Sequence, residues 1–176
     1  DDQTAAAVAR WLSDEPRGSL RRVRLLRHAR NRGKGAAVRT GLAAAVGQWR
    51  LFMDADNACR VGQVEKLLAE AARTGAALAA GSRRARGAHV RARASRRAMG
   101  AAFRIPMRLL GLGFVRDTQC GFKLYRADLA DLLVRESVED RFAFDLEHLG
   151  LARARGYGVV EVGVEWSHRD GGTVRP

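Results

Sequence analysis

Trp49-Arg50-Leu51-Phe52-Met53-Asp54-Ala55-Asp56-Asn57 is the stretch on which the reading of this chain turns. The apolar run Leu51-Phe52-Met53 stops at two carboxylates one residue apart, Asp54 and Asp56. A short apolar run bounded by polar residues reads as a buried strand of a parallel sheet. In such sheets ligands bind beyond the carboxyl ends of the strands. Two hard oxygen donors therefore fall where an α/β fold places its chemistry. Such a pair suits Mg²⁺ or Mn²⁺ completed by water and phosphate oxygens. An acidic turn is the other reading, because Asp and Asn favour turns.

Outward from this stretch, strand and helix patterns alternate. Upstream, Ala5–Leu12 reads as a helix, followed by a loop with Pro16 and Gly18 and a short apolar strand at Val23–Leu26. Gly33-Lys34-Gly35 then opens an Ala-rich helix running to about Val46. Glycines there let backbone approach a ligand, and helix N-terminal N–H groups favour anions. The spacing is not that of a Walker loop, and a plain helix-start turn fits as well. Downstream, Val61–Arg73 has helical periodicity, Ala76–Ala80 is a short strand, and Gly81-Ser82-Arg83 comes next. Alternation of this kind is the mark of a parallel βαβ sheet, in a single domain over residues 1–176.

Residues 83–112 break the pattern. Arg83–Arg97 holds seven arginines around Gly87 and His89 and reads as a basic loop. Arg97–Leu112 is apolar-rich, with Arg104 and Arg108 four apart and Pro106 to kink or restart a helix. A cationic amphipathic segment beside a basic loop suits a membrane surface, and a core helix with an arginine edge is the other reading. Asp117–Arg126 is a polar turn feeding a strand, Ala127–Val134 a helix, and Asp145 and Glu147 sit in the first turn of another. Val159–Trp166 alternates Val and Glu as a single strand, before a polar tail.

The formal net charge is +13, and of the 32 basic residues only Lys34, Lys66 and Lys123 are lysines. Such charge favours polyanions: nucleic acid, anionic membrane or phosphorylated substrates. A nucleic-acid module is disfavoured by 6% aromatics and the lack of a base-stacking motif. No run of about 18 apolar residues spans a membrane. Cys59 and Cys120 form no CxxC pair and read as reduced thiols.

Taken in order, Asn31…Gly33-Lys34-Gly35, Asp54-Ala55-Asp56-Asn57, Gly81-Ser82-Arg83, Asp117-Thr118-Gln119-Cys120-Gly121-Phe122-Lys123, Phe144-Asp145-Leu146-Glu147 and Glu165-Trp166…His168 resemble the family 2 glycosyltransferases of GT-A fold. The likeness spans nearly the whole chain and is strongest to dolichyl-phosphate (polyprenyl-phosphate) β-glucosyltransferases. It implies a Rossmann-like, mostly parallel sheet with helices on both faces. It further implies inverting transfer of a hexose, glucose foremost, from a nucleotide sugar to a polyprenyl or dolichyl phosphate. UDP-glucose is the favoured donor and GDP-mannose the other, with no nucleic acid as partner.

The resemblance implies a donor site over Lys34, Gly35, Asp54, Asp56 and Asn57, with the metal at Asp54 and Asp56. It gives Asp117 as base or positioning carboxylate, and Asp145, with Glu147, as contacting the sugar or orienting a neighbour. Arg83 and Arg96 would hold the acceptor phosphate. The expected location is peripheral, on the cytoplasmic face of a membrane. Relatives of this kind begin with a further βαβ unit ending in Asp-Asp-Gly-Ser, and Asp1-Asp2-Gln3-Thr4 resembles the residues directly after that unit. The expectation is therefore a fragment, and a non-catalytic remnant or membrane-docking protein of the same fold is the alternative function.

Overall fold

A computed structural model describes residues 3–14, 23–91 and 113–167. Two compact units are present, residues 1–32 and 33–176. In the first, helix α1 (Thr4–Asp14) is built on Ala5–Ala7 and Ala9, strong helix formers, and Ser13 Oγ closes its last turn on the Arg10 carbonyl at 2.7 Å. Val23–Leu26, expected as a strand, joins no ladder among the described residues, and Leu25 and Leu26 are exposed. Three apolar residues around Arg24 do not make a strand unless a neighbouring strand offers them a ladder.

The second unit carries α2 (Lys34–Ala44), β1 (Trp49–Met53), a 3₁₀ turn (Val61–Gln63), α3 (Val64–Thr74), β2 (Leu78–Ser82) and β3 (His89–Arg91). After these come β4 (Phe122–Arg126), α4 (Ala127–Glu136), α5 (Phe144–Ala154), β5 (Val159–Gly163) and β6 (Glu165–Ser167). The described strands form a sheet of order β1-β4-β2-β5 and a two-stranded ladder of β3 with β6. The α/β class agrees with the sequence, and β1, β2 and β5 run in one direction. The exception is β4, which lies antiparallel to both β1 and β2. The sheet is thus mixed where mostly parallel pairing was expected.

Side chains alternate across this sheet, as a pleated strand requires. Leu78, Ala80 and Tyr125 enter a core with Leu129, Leu133, Phe144 and Leu149, under α4 and α5. Ala79, Phe122 and Leu124 enter a second core with Leu67 and Ala71 of α3. Helices on both faces bury β2 completely, which explains its run of small and apolar residues. The expected single strand Val159–Trp166 divides at Val164. Val164 N donates to Ser82 O at 3.1 Å, and its own carbonyl accepts from His89 N at 3.2 Å, so the chain passes from β2 to β3. Among the described residues no helix is long and apolar enough to cross a membrane.

His148 lies wholly inside the first core, its Nδ1 3.2 Å from Tyr125 Oη and its ring edge-on to Phe144. Burial, and then the charges of Lys123 and Arg39, push it from 6.5 down to about 3. A depressed histidine contributes stability fully above the unfolded value and loses it as pH falls from 6.5 towards 3, because the unfolded chain then binds the extra proton. Unfolding free energy should therefore drop by about 1.4 kcal/mol per pH unit below that value. His148→Gln should remove this component in urea titrations at neutral and mildly acid pH. An unaltered slope would mean that the ring is charged in the fold.

Candidate active site

β1 ends at Met53, and β4, running the other way, begins beside it at Phe122. This pairing brings the loop after β1 against the loop before β4 at the carboxyl ends of the co-directional strands. Asp54 N donates to Gly121 O at 2.8 Å. A Cβ on residue 121 would stand 2.0 Å from Asp54 Oδ2, so only glycine lets the carboxylate occupy this place. Asp56 closes its own turn, Oδ1 accepting from Ala58 N at 2.9 Å, and Asn57 adopts the left-handed φ of 53° that asparagine tolerates. The acidic-turn reading is thus correct for Asp56, and compatible with the other one. Asp54 and Asp56 line one cleft with Cys59, Gly121 and Trp166.

Lys34 places Nζ 2.7 Å from Asp54 Oδ1 and over the rings of Phe52 and Phe144, at 5.4 and 5.9 Å. The residues present fit a hard dication. Two carboxylates and an approach cleared by Gly121 offer oxygen donors, and Lys34 adds charge for a phosphate. No group of three His, Cys, Asp or Glu placed to hold an ion occurs among the described residues. An ion there would share its shell with water and ligand oxygens, as Mg²⁺ does.

Gly35 was expected to meet the donor, but its environment gives it another role. Gly35 N donates to Arg141 O and Ala36 N to Asp140 O, both at 3.1 Å. A Cβ on Gly35 would meet Glu139 O at 2.4 Å, and one on Gly33, whose φ is +101°, would meet Asp140 O at 2.3 Å. The helix start is therefore capped by the carbonyls of Asp140 and Arg141, and the glycines admit that backbone, as the helix-start reading expects. Glu147 holds the same stretch, its two carboxylate oxygens accepting from Val138 N at 2.8 Å and Glu139 N at 3.0 Å. Glu147 is in this way the residue that orients a neighbour.

Asp145 is likewise an interior group. It is 4% exposed and accepts from Lys123 Nζ at 2.5 Å, while the same ammonium donates to Cys120 O at 2.7 Å. Burial pushes its carboxyl up, against the pull of Lys123. A catalytic Asp145 touching substrate is not what this placement provides. The first turn of α5 faces the core between Phe144 and His148, and a carboxylate there needs a buried cation. Its effect on the site runs through Lys123 and Cys120 to Gly121.

Asp117 is buried beneath Arg83. Its Oδ2 accepts from Arg83 N at 2.9 Å and Nε at 2.7 Å, and its Oδ1 from Nη2 at 2.8 Å. Burial pushes the Asp117 carboxyl up, but the hydrogen bonds and charge of Arg83 outweigh it and hold the group below the usual range. Arg83 is raised in turn, chiefly by the same hydrogen bonds. Of the two roles, base or positioning carboxylate, this geometry favours positioning. The guanidinium expected on an acceptor phosphate gives Nε and Nη2 to Asp117 and lies 5.6 Å from the Trp166 ring centre. Arg96 and the segment Arg97–Leu112 lie outside the described residues.

Two features escaped the sequence reading. Glu161, in the middle of β5, accepts from the successive amides of Arg116 and Asp117. A carboxylate within an otherwise apolar strand is the signal that could have marked it. Cys59 and Cys120, remote in sequence, are both buried and share the second core. Only the pairing of β1 with β4 brings them together.

A mixed sheet between helix layers, with an Asp-x-Asp pair at the strand ends, defines a GT-A-type fold. The fold of the glucosyl-3-phosphoglycerate synthase of Mycobacterium tuberculosis, solved with Mn²⁺ and UDP-glucose, matches with a TM-score of 0.61 at 21% identity, over 98% of this chain and 58% of that one. The chain belongs to glycosyl transferase family 2, whose profile matches residues 1–133. It is 32% identical to a dolichyl-phosphate β-glucosyltransferase of Dictyostelium discoideum, over 99% of this chain and 54% of that one. It is 33% identical to the Drosophila melanogaster protein of the same name, over 100% of this chain and 56% of the other. The chain thus spans about half the length of the curated relatives it matches.

Proposed function

We propose that this chain carries the transfer site of a polyprenyl-phosphate glucosyltransferase, moving glucose with inversion from UDP-glucose to dolichyl or polyprenyl phosphate. The observation that carries the reading is the cleft of Asp54, Asp56 and Lys34 in a family 2 chain similar to dolichyl-phosphate β-glucosyltransferases. A lipid phosphate oxygen forms the new bond to the anomeric carbon, and the bond to the diphosphate breaks on the opposite side. Mg²⁺ or Mn²⁺ held by Asp54 and Asp56 supplies charge neutralisation for the departing diphosphate. Lys34, 2.7 Å from Asp54, adds a second positive charge beside it. A phosphate monoester with its second pKa near ~6 is already ionised at neutral pH and needs no strong base. This suits an Asp117 committed to Arg83, with Arg83 and Arg96 orienting the acceptor.

We place the enzyme peripherally at the cytoplasmic face of a membrane, with residues 83–112 against the lipid. The test incubates the natural gene product with labelled UDP-glucose, Mn²⁺ and dolichyl phosphate in anionic vesicles. A β-linked glucosyl phospholipid is expected, with GDP-mannose giving little product. Lipid product from neither donor would overturn the reading. Vesicle binding should weaken with salt and on deletion of Arg91–Arg97. Equal binding by the deletion would detach the membrane from this segment.

A further inference from the structure

β5 alternates as a strand does, with Val160 and Val162 packed into one core and Val159 into the other. Glu161 shares the face of Val159 and is half-buried there. Its partners are specific. Oε1 alone accepts from Arg116 N at 2.9 Å and from Asp117 N at 2.8 Å. Successive amides converging on one anion form a nest, here filled by the protein's own carboxylate. The register pairs Glu161 with Ala80, three residues before Arg83. One residue therefore links the strand that leads to Arg83, by its backbone, with the loop that carries Asp117, by its side chain.

We infer that Glu161 is a positioning residue for the acceptor side of the site, holding Asp117 so that Asp117 can hold Arg83. This rests on the proposed function for what Arg83 meets, and on geometry alone for the rest. From Glu161 the contacts run to the amide of Asp117, from its carboxylate to the Arg83 fork, and from Arg83 to Trp166. Trp166 lines the same cleft as Asp54 and Asp56. The donor-side groups have separate supports, Gly121 and the Lys123–Asp145 pair. Loss of Glu161 should let the 116–117 turn drift and Arg83 with it, while leaving the metal loop in place.

The experiment uses the natural gene product with Glu161→Ala, Glu161→Gln and Glu161→Asp. Glu161→Ala should lower kcat/KM for dolichyl phosphate by about 10–100-fold, the scale of a small misplacement. Calorimetric affinity for UDP with Mn²⁺ should stay within about twofold. Glu161→Gln keeps an acceptor oxygen and should recover most of the loss, the neutral bond being weaker. Independently of activity, exchange of the Arg83 Nε proton, followed by NMR, should be slow in the wild type, faster in Glu161→Ala and intermediate in Glu161→Gln.

Unchanged acceptor kinetics and unchanged Arg83 exchange in Glu161→Ala would overturn the assignment. So would donor and acceptor terms falling together without recovery by Gln. Should Glu161→Ala fail to fold, Glu161→Asp, which keeps the charge but withdraws the oxygen, makes the same comparison under the same criteria. If the wild type transfers no glucose, the proposed function fails, and the exchange measurement still decides whether Glu161 positions Arg83.

Discussion

Asp56→Asn is expected to reduce glucosyl transfer by about 10²–10³-fold while leaving the fold intact. The substitution is nearly isosteric. An asparagine carbonyl can still accept from Ala58 N, as Asp56 Oδ1 does at 2.9 Å, so the turn after β1 survives. Removed is one of the two negative charges lining the cleft, and the neutral amide left in its place is a weaker partner for a hard dication. Metal stabilisation of a leaving group contributes several kcal/mol, and each ~1.4 kcal/mol is a factor of ten in rate. Calorimetry should show Mn²⁺-dependent UDP binding lost, with an unchanged thermal midpoint. Full activity of the variant, or undiminished turnover in excess EDTA, would remove the metal from the proposed chemistry.

Asp145→Ala should cost about 3–5 kcal/mol of folding stability, the usual result of stranding one member of a buried ion pair. Lys123 is fully buried, and Asp145 and Cys120 O are its hydrogen-bond partners. With the carboxylate gone, the ammonium keeps a single carbonyl in an apolar surrounding. Lys123→Met combined with Asp145→Leu should recover much of the loss, because apolar replacement of a whole pair is often neutral. Urea unfolding of the two single variants and the double variant forms the cycle that isolates the coupling. A loss below about 1 kcal/mol would place Asp145 in contact with solvent or ligand, and would restore the substrate-contacting role expected from the sequence.

Much of the site was legible in one dimension because its signals are local. The apolar run 51–53 ending at Asp54 marks a buried strand and its carboxyl end. Helical periodicity over 64–74 marks α3, and the ordered motifs point to family 2. The roles of individual side chains were less legible. Gly35 reads along the chain either as a glycine beside a ligand or as a plain helix-start turn, and it is the backbone of 139–141, far along the chain, that makes it glycine. The resemblance leaves Asp145 either contacting the sugar or orienting a neighbour, because its partner Lys123 sits in a different element. Glu161 gives no signal beyond its place in an apolar strand.

By itself, then, the sequence determined the class of fold, the strand that delivers Asp54 and Asp56, and the basic character of residues 83–97. Periodicity, turn chemistry and charge act between near neighbours, so they can be read along the chain. The tertiary structure alone decided that β4 runs antiparallel between β1 and β2, and the rest of the site depends on that reversal. Reversal puts Gly121 against Asp54 and Cys120 beside Cys59, and it sends Lys123 inward to Asp145. Strand direction is set by which loops can close and which faces can be buried together. Those are sums over contacts distant in sequence, and no single stretch of residues encodes them.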